Sequence, residues 1–140
     1  DAQQVAVVRR FVADLNLPVE VVMVPICREE SGLARSSRNV YLSSAEREAA
    51  LVLSRSLRKA KAAFDGGERS AEQLKEITRA ELATEPLARV DYVDLYTFPA
   101  LQPVAEVTEM SLLAIAVYIG KTRLIDNVIF TSSAEKGAAK

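Results

Sequence analysis

Ser36-Ser37-Arg38-Asn39, with Gly32 just upstream, is the stretch of this sequence best equipped for chemistry. A guanidinium offers forked, charge-assisted hydrogen bonds, and adjacent hydroxyls add short donors. Together they suit a cluster of anionic oxygens. If the chain turns into a helix near Ser37, its free N–H groups add to the same site. The same residues also suit a polar interdomain linker with a serine cap, and chemistry alone leaves both readings open. Asp1 and Gln4 stand at the start of a helical stretch. They fit a capping box, or a contact to a small polar ligand if the Gln4 side chain leaves the cap.

Other reactive residue types invite plainer readings. Cys27 is the only cysteine, with no histidine or nearby lysine to activate it, and reads as a small buried filler. Arg28, Glu29 and Glu30 read as a solvated loop. Arg47, Arg55, Arg58, Lys59 and Lys61 give one long helix a basic side, diluted by Glu46 and Glu48, and a solvated face accounts for it. The sequence holds no histidine at all. That removes the commonest general base, the commonest metal ligand and every Ser-His or Cys-His nucleophile pair. No metal ligands are assigned.

The elements that position these residues follow from periodicity. Val5, Val8, Val12 and Leu15 recur at helical spacing, so residues 2–15 read as an amphipathic helix, stopped by Asn16 and Pro18. Val19 to Val24 is a short β-branched run, apolar on both faces, and reads as a buried parallel strand closed by Pro25. The polar loop 26–39 then leaves the strand's C-terminal end, where open α/β sheets bind ligands. Ser43 with Glu46 is a capping box for a long helix whose apolar stripe is Ala50, Leu53, Leu57, Ala60 and Phe64, ended by Gly66-Gly67. Ser70 with Gln73 starts another helix, with Leu74, Ile77 and Leu82 inward. Strands are expected over Val90–Tyr96, Leu112–Ile119 and Thr122–Phe130, with Gly120-Lys121 as a type II′ hairpin turn. Residues 43–130 thus give an α+β domain, its helices on one sheet face.

Composition bounds the rest. At 140 residues, 49% hydrophobic and 26% charged, the chain can bury a core. A formal net charge of -1, no basic stripe and no aromatic platform argue against a nucleic-acid partner. No apolar run is long enough to span a bilayer, so no membrane partner is expected. One cysteine permits no internal disulfide, which fits a cytoplasmic location. Because Asp1 opens directly into a patterned segment, the expectation is a chain cut from something longer.

The order of motifs resembles the pantothenate synthetase (pantoate–β-alanine ligase) family, in its C-terminal half. Asp1-Ala2-Gln3-Gln4 resembles the family's K-D-x-Q-Q without the lysine. Val24-Pro25-Ile26-Cys27-Arg28-Glu29 resembles V-P-T-V-R-E. Gly32 to Leu42 resembles G-L-A-M-S-S-R-N-x-Y-L. Asp91-Tyr92-Val93 and Thr122-Arg123-Leu124-Ile125-Asp126-Asn127 resemble the closing D-Y and T-R-L-I-D-N strands. The resemblance runs from Asp1 to about Phe130, and the S-S-R-N block is its most specific part.

The resemblance implies a reaction and a division of labour. Pantoate and β-alanine are condensed with ATP and Mg²⁺ through a pantoyl adenylate. It implies catalytic roles for Arg38 and Ser36, ATP contacts from Asp1, Cys27, Ser36, Ser37 and Arg38, and a pantoate contact from Gln4. Cys27 falls where a backbone group meets the adenine. It implies that residues 1–39 close a Rossmann-like ATP/pantoate domain, leaving a helix–strand remnant of it here. Residues 40–131 form the C-terminal α+β lid, two helices on a three-stranded, mainly antiparallel sheet, and 132–140 a flexible tail. Arg35 departs from the family's methionine. The family's H-x-G-H motif is missing, so the expectation is that this chain alone is inactive. The alternative is a non-catalytic, self-associating lid or interaction domain. An orphaned strand over 19–24 would expose apolar surface and an open edge. A homodimer or self-association through residues 1–24, or a rearrangement of that segment, is therefore expected.

Overall fold

The computed structural model describes residues 1–131; the tail expected over 132–140 lies outside the described residues. In chain order it contains α1 (Ala2–Asp14), a 3₁₀ turn (Ser37–Tyr41), α2 (Ser44–Asp65), α3 (Ala71–Leu82), β1 (Ala88–Thr97), β2 (Ser111–Ile119) and β3 (Thr122–Phe130). The strands form one antiparallel sheet in the order β1-β2-β3. This is the expected α+β class, with every expected helix and the last three strands present.

Local signals set the element ends. Ser43 Oγ accepts from the Glu46 N–H at 3.2 Å while the Glu46 carboxylate accepts from the Ser43 N–H at 2.8 Å, a complete capping box. The stripe Ala50, Leu53, Leu57, Ala60 and Phe64 is buried, and Gly66 caps the C-terminus of α2. Ile77 is only half-buried, whereas Leu74 and Leu82 are fully enclosed. Gly120 at φ +57 begins the two-residue β2–β3 turn, and a Cβ there would collide with the Glu46 carboxylate. The positive φ favours glycine, and a side chain there would also push the Glu46 carboxylate aside.

The main core lies between the α2/α3 pair and one sheet face, where Leu53, Leu74, Leu113, Ile115 and Val117 meet. Phe64 stacks on Phe130 with ring centroids 4.8 Å apart. The other face is covered too. Ala2 and Ala6 of α1 pack with Phe98, Leu112 and Ala114, and Tyr92 donates a hydrogen bond to Gln3 Oε1 at 3.2 Å. Helices were expected on one face only. Small alanines let α1 approach closely, so β2 is buried from both sides, which its uninterrupted apolar run requires.

Two local expectations are corrected. Val19–Val24 forms no strand, and Val22 and Val24 are 71% and 76% exposed. A strand is completed only by a neighbouring strand that takes up its N–H and C=O groups. Among the described residues none lies beside this segment, and the Arg9 side chain reaches its backbone at 3.4 Å from Val21 O. The helix–strand remnant is thus a helix followed by an unpaired arm. Cys27, expected as a buried filler, is exposed for the same reason.

Candidate anion-binding site at the free edge of β3

Residues 27–35 fold back on themselves. Arg35 N–H donates to Cys27 O at 2.9 Å, Glu29 N–H to Leu33 O at 2.8 Å, and Arg28 and Ala34 form an isolated bridge. Gly32 turns the loop at φ +94, a conformation side chains disfavour. The loop is fastened to the sheet by Arg28. Its guanidinium donates to both carboxylate oxygens of Asp126 on β3, at 2.7 and 2.9 Å, and to Gly32 O at 3.2 Å. The hydrogen bonds to Asp126 hold the Arg28 pKa above its ordinary value.

A second clamp holds the next segment. The Glu29 carboxylate accepts from Arg47 at 2.8 Å and from Asn39 Nδ2 at 3.2 Å, which holds it below the usual carboxylate range. Asn39 Nδ2 also donates to Ala34 O at 3.1 Å, and Arg47 to Asn39 O at 3.3 Å. Arg28, Glu29 and Arg47 are therefore fixed supports. The solvated-loop reading of Arg28 and Glu29 and the solvated-face reading of Arg47 do not hold. The basic side of α2 is likewise paired lower down. Lys59 and Arg55 both bind Glu81, which is buried, and Lys61 binds Asp65.

These clamps leave a pocket of about 170 Å³ between residues 33–39 and the free edge of β3. Asp1, Arg35, Ser36, Arg38, Arg123 and Asp126 are among its walls. Ser36 is the N-cap of the 3₁₀ turn, its Oγ accepting from the Arg38 N–H at 3.2 Å. Ser37 lies just outside, beside Ser36 in a shallower depression bounded by Glu29 and Arg47. Arg38 has no side-chain hydrogen bond or ion pair among the described residues. The acids in the walls are committed elsewhere. Asp126 faces Arg28, and Asp1 Oδ1 accepts from the N–H groups of Gln3 at 3.0 Å and Gln4 at 3.4 Å. Arg38 is therefore a cation at the pocket with no acid paired to it, while Asp1 rests on two backbone N–H donors.

Of the sequence-derived site residues, Asp1, Ser36 and Arg38 meet in this pocket, and Ser37 borders it. Cys27 and Gln4 are not among its walls; Ile26 is. Gln4 is exposed and does not return the capping bond to Asp1, so its amide is free. Sequence reasoning missed Arg123 and Asp126, whose spacing on β3 hides that both reach one pocket. It also missed the supporting roles of Glu29 and Asn39, whose contacts span loop and helix.

The fold and site define an α+β unit presenting a cationic cradle at an open sheet edge. The pantoate–β-alanine ligase family model matches residues 1–129, and the chain belongs to that family. It is 54% identical over 129 residues to the pantothenate synthetase of Pelotomaculum thermopropionicum, covering 92% of this chain and 46% of that protein. Its fold matches the crystal structure of pantothenate synthetase from Thermus thermophilus with a TM-score of 0.80 and 41% identity, covering 89% of this chain and 45% of the other. The Francisella tularensis pantoate–β-alanine ligase, solved with β,γ-ATP and β-alanine, matches with a TM-score of 0.56 at 27% identity, covering 90% of this chain and 39% of that one. The chain thus spans about half the length of the relatives it matches. No helix among the described residues is long and apolar enough to cross a membrane.

Proposed function

We propose that this chain supplies the phosphate-binding side of a pantothenate synthetase site, in which ATP and pantoate form a pantoyl adenylate and β-alanine then takes the pantoyl group. The observation that supports it most is Arg38, unpaired beside Ser36 in a pocket whose acids are already committed. Family membership favours this over a stand-alone interaction module.

In the first step the pantoate carboxylate attacks the α-phosphorus and pyrophosphate leaves. Negative charge on the departing oxygens grows, and preset cations and hydroxyl donors stabilise it best. Arg38 and Ser36 are assigned that role, with Ser37 at the pocket's border. Asp1 flanks the nucleotide, and the backbone at Cys27 meets the adenine. Gln4, free of its cap, is assigned to pantoate. In the second step the β-alanine amine attacks the adenylate carbonyl and AMP leaves. Mg²⁺ enters as part of the ATP substrate.

In this proposal, residues 1–39 belong to the nucleotide domain and 40–131 to the lid, in a cytoplasmic enzyme. The exposed Val7, Phe11, Val22 and Val24 support self-association through residues 1–24 as part of this reading. The chain alone is expected to bind nucleotide without turnover. Amide NMR tests the reading: on adding ATP and Mg²⁺, shifts should concentrate at residues 34–39 and 123–127. Shifts confined to other surfaces would oppose it.

A further inference from the structure

Arg123 and Arg38 line the same pocket, one from β3 and one from the 3₁₀ turn. They also share a shallow depression at the β2–β3 turn with Tyr41 and Lys121. Unlike Arg38, Arg123 has a partner. Asp91 Oδ2 accepts from two nitrogens of its guanidinium, both at 2.9 Å. Asp91 owes that reach to a β-bulge: the β1–β2 register shifts between Val90 and Tyr92, leaving Asp91 as the extra residue. Bulges re-aim side chains in this way. The ion pair therefore passes over the middle strand, with the Tyr92 ring 5.8 Å from the guanidinium carbon.

The pair is exposed, with side-chain accessibilities of 42% for Arg123 and 39% for Asp91. Water weakens such a bond, so a multiply charged anion can compete for the arginine. Asp126 offers the anion little opposition, being paired with Arg28. One guanidinium fork spans one phosphoryl group, whereas a polyphosphate presents several oxygens along its length.

The geometry points to Arg123 as a second cation of the pocket, which exchanges Asp91 for a phosphoryl group of a polyphosphate ligand. The inference rests on the phosphate-binding reading of the Arg38 pocket and adds a substrate-binding residue from the sheet side. Asp91 is a positioning residue: it holds Arg123 extended over the sheet and competes with the ligand.

Calorimetric titration of this chain with inorganic pyrophosphate tests it, comparing wild type, Arg38→Ala, Arg123→Gln and Asp91→Asn at low salt. Arg123→Gln should weaken binding about tenfold, the effect of losing one hydrogen bond to a charged group. Asp91→Asn should tighten binding, because the competitor is gone. Both variants break the same ion pair, so a shared folding penalty cannot produce opposite changes, and thermal unfolding of each measures that penalty. Wild-type affinity in Arg123→Gln, or weaker binding in Asp91→Asn, would overturn this inference while Arg38-dependent binding keeps the broader reading. No pyrophosphate binding by the wild type, or none dependent on Arg38, would overturn both.

Discussion

The Arg28 guanidinium and the Asp126 carboxylate meet as two parallel forks, at 2.7 and 2.9 Å, across most of the chain's length in sequence. Asp126 is almost wholly buried and Arg28 about one-third exposed. This pair decides where the loop carrying Ser36 and Arg38 lies against β3. Arg28→Ala would leave a buried carboxylate without its partner, and such losses cost about 3 kcal/mol. Urea denaturation should show that loss. A fall below about 0.5 kcal/mol, the scale of surface substitutions, would mean the clamp is ornamental.

Glu81 makes stability depend on acid. Lys59, then Arg55, hold its carboxyl below the usual carboxylate range, against the desolvation that raises it. A depressed folded-state pKa means stability that is present above the unfolded value of about 4.3 and lost as pH falls through the folded value. Glu81→Gln removes this contribution. The stability gap between wild type and Glu81→Gln should be widest at neutral pH and shrink as pH drops below about 4.3. A gap that stays constant from neutral pH into acid would refute the assignment.

Gly120→Ala should be costly because the turn sits at φ +57 and the new Cβ meets the Glu46 carboxylate. Backbone strain of this kind costs about 1–3 kcal/mol. Glu46→Ala alone weakens the cap of α2, at about 1 kcal/mol. The double variant should lose less than the two singles summed, since the collision disappears with the carboxylate. Additive losses in thermal or urea unfolding would contradict the contact.

Sedimentation velocity should show concentration-dependent self-association through the apolar face of residues 1–24. Phe11→Asp with Val22→Asp should return the chain to a monomer. A wild-type monomer with residues 1–24 fully ordered would count against that role.

The sequence announced most of the architecture. Ser43 and Glu46 marked the start of α2, Gly66 its end, and Gly120-Lys121 between two strand-like runs marked the hairpin. These signals are local, acting over one turn or one ladder step. Ser36 and Arg38 were legible as anion ligands for the same reason. Val19–Val24 misled because β propensity becomes a strand only beside a neighbour. Arg28, Glu29 and Arg123 escaped because a charged residue's partner across the fold leaves no trace in spacing. The reach of Asp91 depends on a bulge, which no residue in β1 advertises.

The most direct test is isothermal titration of this chain with ATP and Mg²⁺, with and without pantoate, alongside Arg38→Ala. The account predicts saturable binding by the wild type that is lost in the variant, because the loop is already braced by Arg28, Glu29 and Arg47. Equal binding by both proteins, or none by the wild type, would contradict a preformed phosphate site.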